Sequence, residues 1–121
     1  MKIKQKQAID AYKVLVKLEQ QDMPGKFAMH CFKMKKKLEP QFQFQDEQEH
    51  RLIKQLGCTL KDSGEIEFPD DAAKEKYIKK IGEIADVEVS LDIEKKEFDI
   101  TDLHLSAKDI EALEIIADIV C

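Results

Sequence analysis

Apolar positions recur along this chain mostly at three- and four-residue steps, interrupted by shorter runs that alternate every second residue. From about Lys4 to Gln20, Ala8, Ile9, Tyr12, Leu15, Val16 and Leu18 mark one side of a helix, with lysines and glutamines between them. Gln20-Gln21-Asp22-Met23-Pro24-Gly25 ends it, and Pro24-Gly25 is a turn signal. From Lys26 the stripe resumes as Phe27, Cys31, Met34 and Leu38, widened by Met29–Phe32, while Lys33, Lys35, Lys36 and Lys37 cover the other side. Pro40 interrupts this segment, because proline removes a backbone hydrogen bond inside a helix. Two readings follow: one kinked helix running to Leu56, or two helices meeting near Glu39. The helix formers from Gln41 to Gln55 favour the single kinked helix, stopped by Gly57.

Beyond Gly57 the period shortens. Cys58 to Phe68 reads as a small hairpin turning at Lys61-Asp62-Ser63-Gly64 and closed by Pro69. Asp70 or Asp71 caps a third helix that runs to about Ala85, with Ala73, Tyr77, Ile78, Ile81 and Ile84 on its apolar face. Val87, Val89, Leu91 and Ile93 alternate with Glu88, Ser90, Asp92 and Glu94, the pattern of a half-buried strand. Phe98 and Ile100 either continue that strand after a turn or form a separate edge. Ser106 and Asp109 frame the start of a last helix as an acidic capping box, with Leu105 and Ile110 placed as a hydrophobic staple. Its expected buried face is Ile110, Leu113, Ile116 or Ala117, and Val120. The sequence therefore predicts a helix-rich α+β fold, with a long kinked second helix and a small antiparallel sheet made of the hairpin plus one strand.

Composition sets the limits of that picture. The 121 residues suit a single domain over 1–121, and the 43% apolar fraction suffices for a core. Charged residues make up 37% and the net charge is −5, which argues against a nucleic-acid footprint spread over the whole domain. Cys31, Cys58 and Cys121 are odd in number and far apart, so neither a disulfide framework nor a cysteine metal site is expected, and a reducing cytoplasm suits them. Cys121 lacks the context of a prenylation motif. No apolar run is long enough for a bilayer, and no apolar run follows the charged first residues as in a signal peptide.

Candidate chemistry is sparse. His30, His50 and His104 lie in different elements, and a metal site would need tertiary assembly of its ligands. Glu88, Asp92 and Glu94 share a strand face, which reads as a solvated surface that discourages edge pairing. Gly25, Gly57, Gly64 and Gly82 are isolated and form no phosphate loop. Cys58, at a helix C-terminus, sits where the helix dipole disfavours a thiolate. No catalytic residue, metal or cofactor is assigned. The lysines at 33 and 35–37 read as a solvated face.

One stretch stands out. Gln41–Arg51 is very polar for a helix segment, with Phe42 and Phe44 as its main apolar residues. Such a helix projects from the core, packs on a partner or lives on local charge pairs. Phe42, Phe44, Glu47 and Arg51 are the candidate partner-binding residues.

Three blocks carry a resemblance. They are Met23-Pro24-Gly25-Lys26-Phe27-Ala28 leading into Lys36-Lys37-Leu38-Glu39-Pro40; Leu56-Gly57 with the turn Lys61-Asp62-Ser63-Gly64; and Val87–Ile93 followed by Leu105-Ser106-Ala107-Lys108-Asp109-Ile110-Glu111-Ala112-Leu113-Glu114. In this order the chain resembles a group of small proteins of unknown function from tailed phages and prophages. Here the hairpin is short and the chain ends at Cys121 without an acidic tail. The resemblance brings no catalytic residues and implies action inside the bacterial host cytoplasm. The expected function is a non-enzymatic accessory protein working by protein–protein contacts, including self-association into a homo-oligomer. Two other classes are an inhibitor of a host defence or nucleic-acid enzyme, presenting Glu88, Asp92, Glu94, Asp46 and Glu49 as an acidic decoy, and a small-molecule sponge.

Overall fold

In the computed structural model, which describes residues 1–120, the chain opens on a three-residue strand, β1 (Lys2–Lys4), and turns directly into helix α1 (Gln5–Leu18). Cys121, and with it any role for that residue, lies outside the described residues. The Gln7 side-chain oxygen accepts a hydrogen bond from the Lys4 backbone N–H at 2.8 Å and secures the first turn. α1 buries Ala8, Ile9, Ala11, Val14, Leu15 and Leu18, a stripe at helical spacing.

Helix α2 (Gly25–Gln55) is continuous through Pro40. The single-helix reading therefore holds. Its buried side carries Cys31, Met34, Leu38 and Gln45. α2 runs antiparallel to α1. Lys35 meets Glu19 at 2.6 Å, and further along α2 Phe42 stacks on Tyr12 with ring centroids 4.5 Å apart. At the same level the Gln5 amide donates to the Gln41 carbonyl at 2.8 Å. Both contacts follow directly on Pro40, where the helix lacks one of its own hydrogen bonds.

After Gly57, which takes φ +70 as a helix stop, β2 (Thr59–Leu60) and β3 (Ile66–Glu67) form the expected antiparallel hairpin. Gly64 turns it at φ +88. Helix α3 (Asp71–Ala85) starts at Asp70, whose carboxylate accepts from the Ala73 N–H at 2.8 Å. Only Ala73 and Ile84 of its apolar face are buried; Ile78 is exposed.

The strands pair differently from the expectation. β4 (Glu88–Ser90) does not join the hairpin. It pairs antiparallel with β1, Ile3 opposite Val89, and Met1 and Leu91 extend the ladder with two backbone bonds of 2.9 and 2.8 Å. β5 (Glu97–Asp99) is a separate edge, and its partner is β6 (Asp118–Val120), parallel, with Phe98 opposite Ile119. The last helix, α4 (Ala107–Glu114), thus ends before Ile116 and serves as the crossover that parallel strands require. The expected single small sheet is instead three two-stranded ladders, of which β1–β4 and β5–β6 pack on the core. Phe98, Leu15, Leu18, Leu38, Leu113 and Ile116 are fully buried in that core.

The α4 cap forms as expected, and it also ties two helices together. The Ser106 hydroxyl accepts from the Asp109 N–H and the Asp109 carboxylate accepts from the Ser106 N–H, both at 3.1 Å. The same carboxylate takes the Lys17 ammonium of α1 at 2.8 Å. That Lys17 bond, with the Ser106 N–H behind it, holds the Asp109 carboxyl below the usual carboxylate range. A carboxylate whose folded pKa is depressed contributes stability above its unfolded pKa, about 3.9, and loses it as pH falls toward the folded value. Asp109→Asn is therefore expected to cost about 1–2 kcal/mol at neutral pH. The gap to wild type should narrow in urea titrations run below about pH 4. A gap independent of pH would assign the loss to packing alone.

Candidate interaction surface on the second helix

α2 is longer than the elements it packs on, and one side of it faces outward along its length. Met29, Lys33, Lys36, Pro40, Phe44, Glu47 and Arg51 are all exposed. They follow steps of three and four residues, so they form one ridge. Phe32 flanks it. Met29, Phe32 and Phe44 expose 54%, 49% and 47% of their surface. The Lys36 ammonium lies 5.7 Å from the Phe32 ring centroid and 3.2 Å from Glu39.

The four sequence-predicted contact residues separate here. Phe44, Glu47 and Arg51 stand on the ridge. Phe42 does not: it is half-buried, stacked on Tyr12, and serves the α1–α2 contact. The Gln41–Arg51 stretch as a whole does not project from the core either, since Gln41, Phe42 and Gln45 face inward. Met29 and Phe32 are the converse correction. They do not widen the buried stripe; Met29 lies two residues from buried Cys31, about 200° around the helix, and so faces the other way.

Among the described residues two grooves stand out, and Lys33 of the ridge also lines the smaller one. The larger, about 750 Å³, lies between α1 and α4. It mixes five lysines with four carboxylates, among them the pairs Lys17–Asp109 and Lys4–Asp86 at 3.8 Å. Its charges nearly balance, so it concentrates no strong field for a charged ligand. Sequence reading missed it because its residues come from distant segments. The smaller, about 190 Å³, gathers His30, Lys33, Lys37, Asp92, Glu94 and Lys96. Burial against Phe98, together with the positive charges of Lys96 and Lys33, lowers the His30 pKa.

The acidic residues do not form an uninterrupted face. Asp92 and Glu94 sit among lysines in the smaller groove, Glu88 stands opposite Lys4, and Glu49 accepts the Gln45 amide at 3.3 Å. His50 bonds the Asp46 carbonyl in its own helix, and the His104 backbone is held by the Gln21 side chain. Among the described residues no three histidine, cysteine or acidic side chains gather in a way that would hold a metal ion. Among them, too, no helix is long and apolar enough to cross a membrane.

The thiols differ in reach. Cys31 is a core residue whose thiol is pushed up to about 11 by burial first and the Glu19 charge second, whereas Cys58 is half-buried. A thiolate is the reactive form. Brief alkylation of the native protein near pH 8 is expected to label Cys58 well ahead of Cys31 by peptide mass spectrometry, and full labelling of both only after denaturation. Equal native rates would contradict the burial of Cys31.

Compared with known protein families, curated proteins and solved structures, the chain matches none.

Proposed function

We propose that this chain is a non-enzymatic accessory protein of a tailed phage or prophage, acting in the bacterial cytoplasm through protein–protein contacts made by the outer ridge of α2. The phage setting rests on the resemblance of the three sequence blocks. The contact role rests on one observation: Met29, Phe32 and Phe44 are about half exposed on a single side of one long helix. Covering apolar surface of this kind is the main driving force of association, and aromatic residues are the usual anchors. Glu47 and Arg51 on the same ridge supply charges that select a partner rather than add much affinity.

A photo-crosslinking amino acid in place of Phe44 tests this. With purified protein, or in lysate of an infected host, it is expected to give a discrete protein adduct. The same probe at exposed Lys79 of α3 should not. Absence of any adduct from position 44 in both settings would sink the proposal.

A further inference from the structure

We infer that the partner of the α2 ridge is a second copy of this chain, laid antiparallel across a two-fold axis at Pro40. The inference rests on the reading of α2 as a contact surface and goes further by naming its occupant and register.

The ridge positions 29, 33, 36, 40, 44, 47 and 51 advance by four, three, four, four, three and four residues. That order is the same from either end, with Pro40 at the centre. Two such ridges in opposite directions place Lys33 against the partner's Glu47, Lys36 against the partner's Phe44, and Met29 against the partner's Arg51. The two Pro40 rings meet on the axis. A contact of this kind is isologous and closes at two copies.

Side-chain chemistry selects the antiparallel arrangement. Among the described residues neither Lys33 nor Glu47 has an ion-pair partner in its own chain. The antiparallel register supplies one for each, twice per dimer. A parallel register would stack Lys33 on Lys33 and Glu47 on Glu47, which is repulsive. Lys36 already leans over one aromatic face, the Phe32 ring, 5.7 Å from its centroid. The Arg51 stem offers apolar length to Met29. Pro40 brings no N–H to the axis, and the Lys36 carbonyl that it leaves without a helical donor must keep a water. Opposed helix dipoles favour the same direction.

The contact runs about 33 Å along each helix. It uses one stripe only, so it belongs to the weak, reversible class of interface. Dissociation in the micromolar range and weakening by salt are expected.

The test uses the purified full chain at low salt, followed by sedimentation equilibrium from low to high micromolar concentration. Wild type is expected to show a monomer–dimer equilibrium. Lys33→Glu and Glu47→Lys each set like charges opposite each other at both ends and should weaken the dimer about tenfold. An equimolar mixture of the two variants should recover wild-type affinity as a mixed dimer, and the double variant K33E/E47K should recover it alone. A folding defect could not produce such rescue. Wild type that stays monomeric, single variants that dimerise like wild type, or a mixture no tighter than its components would each overturn the inference. If the purified chain is monomeric while the probe at position 44 captures a different protein, the contact surface stands and the second copy falls.

Discussion

Phe98→Ala is expected to lower stability by about 3–5 kcal/mol, the largest loss at any single aromatic in this chain. Phe98 has no exposed surface. Its ring meets Phe27 edge-on, with centroids 4.7 Å apart, and lies 5.1 Å from His30, so it joins the N-terminal half of α2 to the β5–α4–β6 unit. Truncation removes the transfer energy of a large apolar group. It also leaves a cavity that the parallel pair β5–β6 cannot fill without breaking its own register. A two-stranded ladder of three residues has little stability apart from what it packs on. Urea unfolding should show a lower midpoint with little change in slope. Hydrogen exchange should rise first at the Ile100 amide, which bonds the Val120 carbonyl at 3.0 Å. A loss below about 1 kcal/mol would mean that the ring is not the pin between these two parts.

The elements that declared themselves in the sequence are those whose signal is local. Ser106 with Asp109, the Asp70-Asp71 pair, of which Asp70 is the cap, and the Ser63-Gly64 turn each need only their neighbours. α2 was legible as one helix because good helix formers on both sides outweigh one proline. β1 and β6 were not legible, because three residues cannot establish an alternation. Their partners also lie far off: Ile3 pairs with Val89 and Ile119 with Phe98. Ile116, Ala117 and Val120 fit a helical stripe as well as they fit a turn and a strand. The choice is made by the open edge of β5, which is a tertiary fact.

The candidate surface divides along the same line. Phe44, Glu47 and Arg51 were readable, because a polar segment leaves few ways to hide them. Phe42 was not, since its position is decided by Tyr12 on another helix. Met29 and Phe32 were assigned inward because they are apolar, although their angular distance from Cys31 and Met34 turns them outward. Residue type and helical angle disagree at those two positions, and angle prevails. Apolar residues that the angle rule places in solvent are therefore the best signal of the contact surface available in the sequence alone.

Leu38→Ala is expected to cost about 2–5 kcal/mol, whereas Ile78→Ala should change stability by less than about 0.5 kcal/mol. Both are large aliphatics on helices, but Leu38 is fully buried and Ile78 exposed. Leu38 lies two residues before Pro40, where the missing N–H leaves α2 dependent on contacts with α1. Those contacts are Leu38 in the core with Leu15 and Leu18, the Gln5 amide on the Gln41 carbonyl, and Phe42 on Tyr12. Loss of Leu38 should therefore loosen α2 most around Lys36–Phe44, read as faster amide exchange there than at either end. The outer ridge depends on the same alignment, because Lys33 and Glu47 keep their spacing only while the helix stays continuous between them. The dimer should then weaken in Leu38→Ala although the side chain is buried on the opposite side of α2, and should be untouched in Ile78→Ala. Matching stability losses at the two sites would refute the burial pattern. A destabilised Leu38→Ala with wild-type dimer affinity would show that the ridge is held by the helix itself and not by α1.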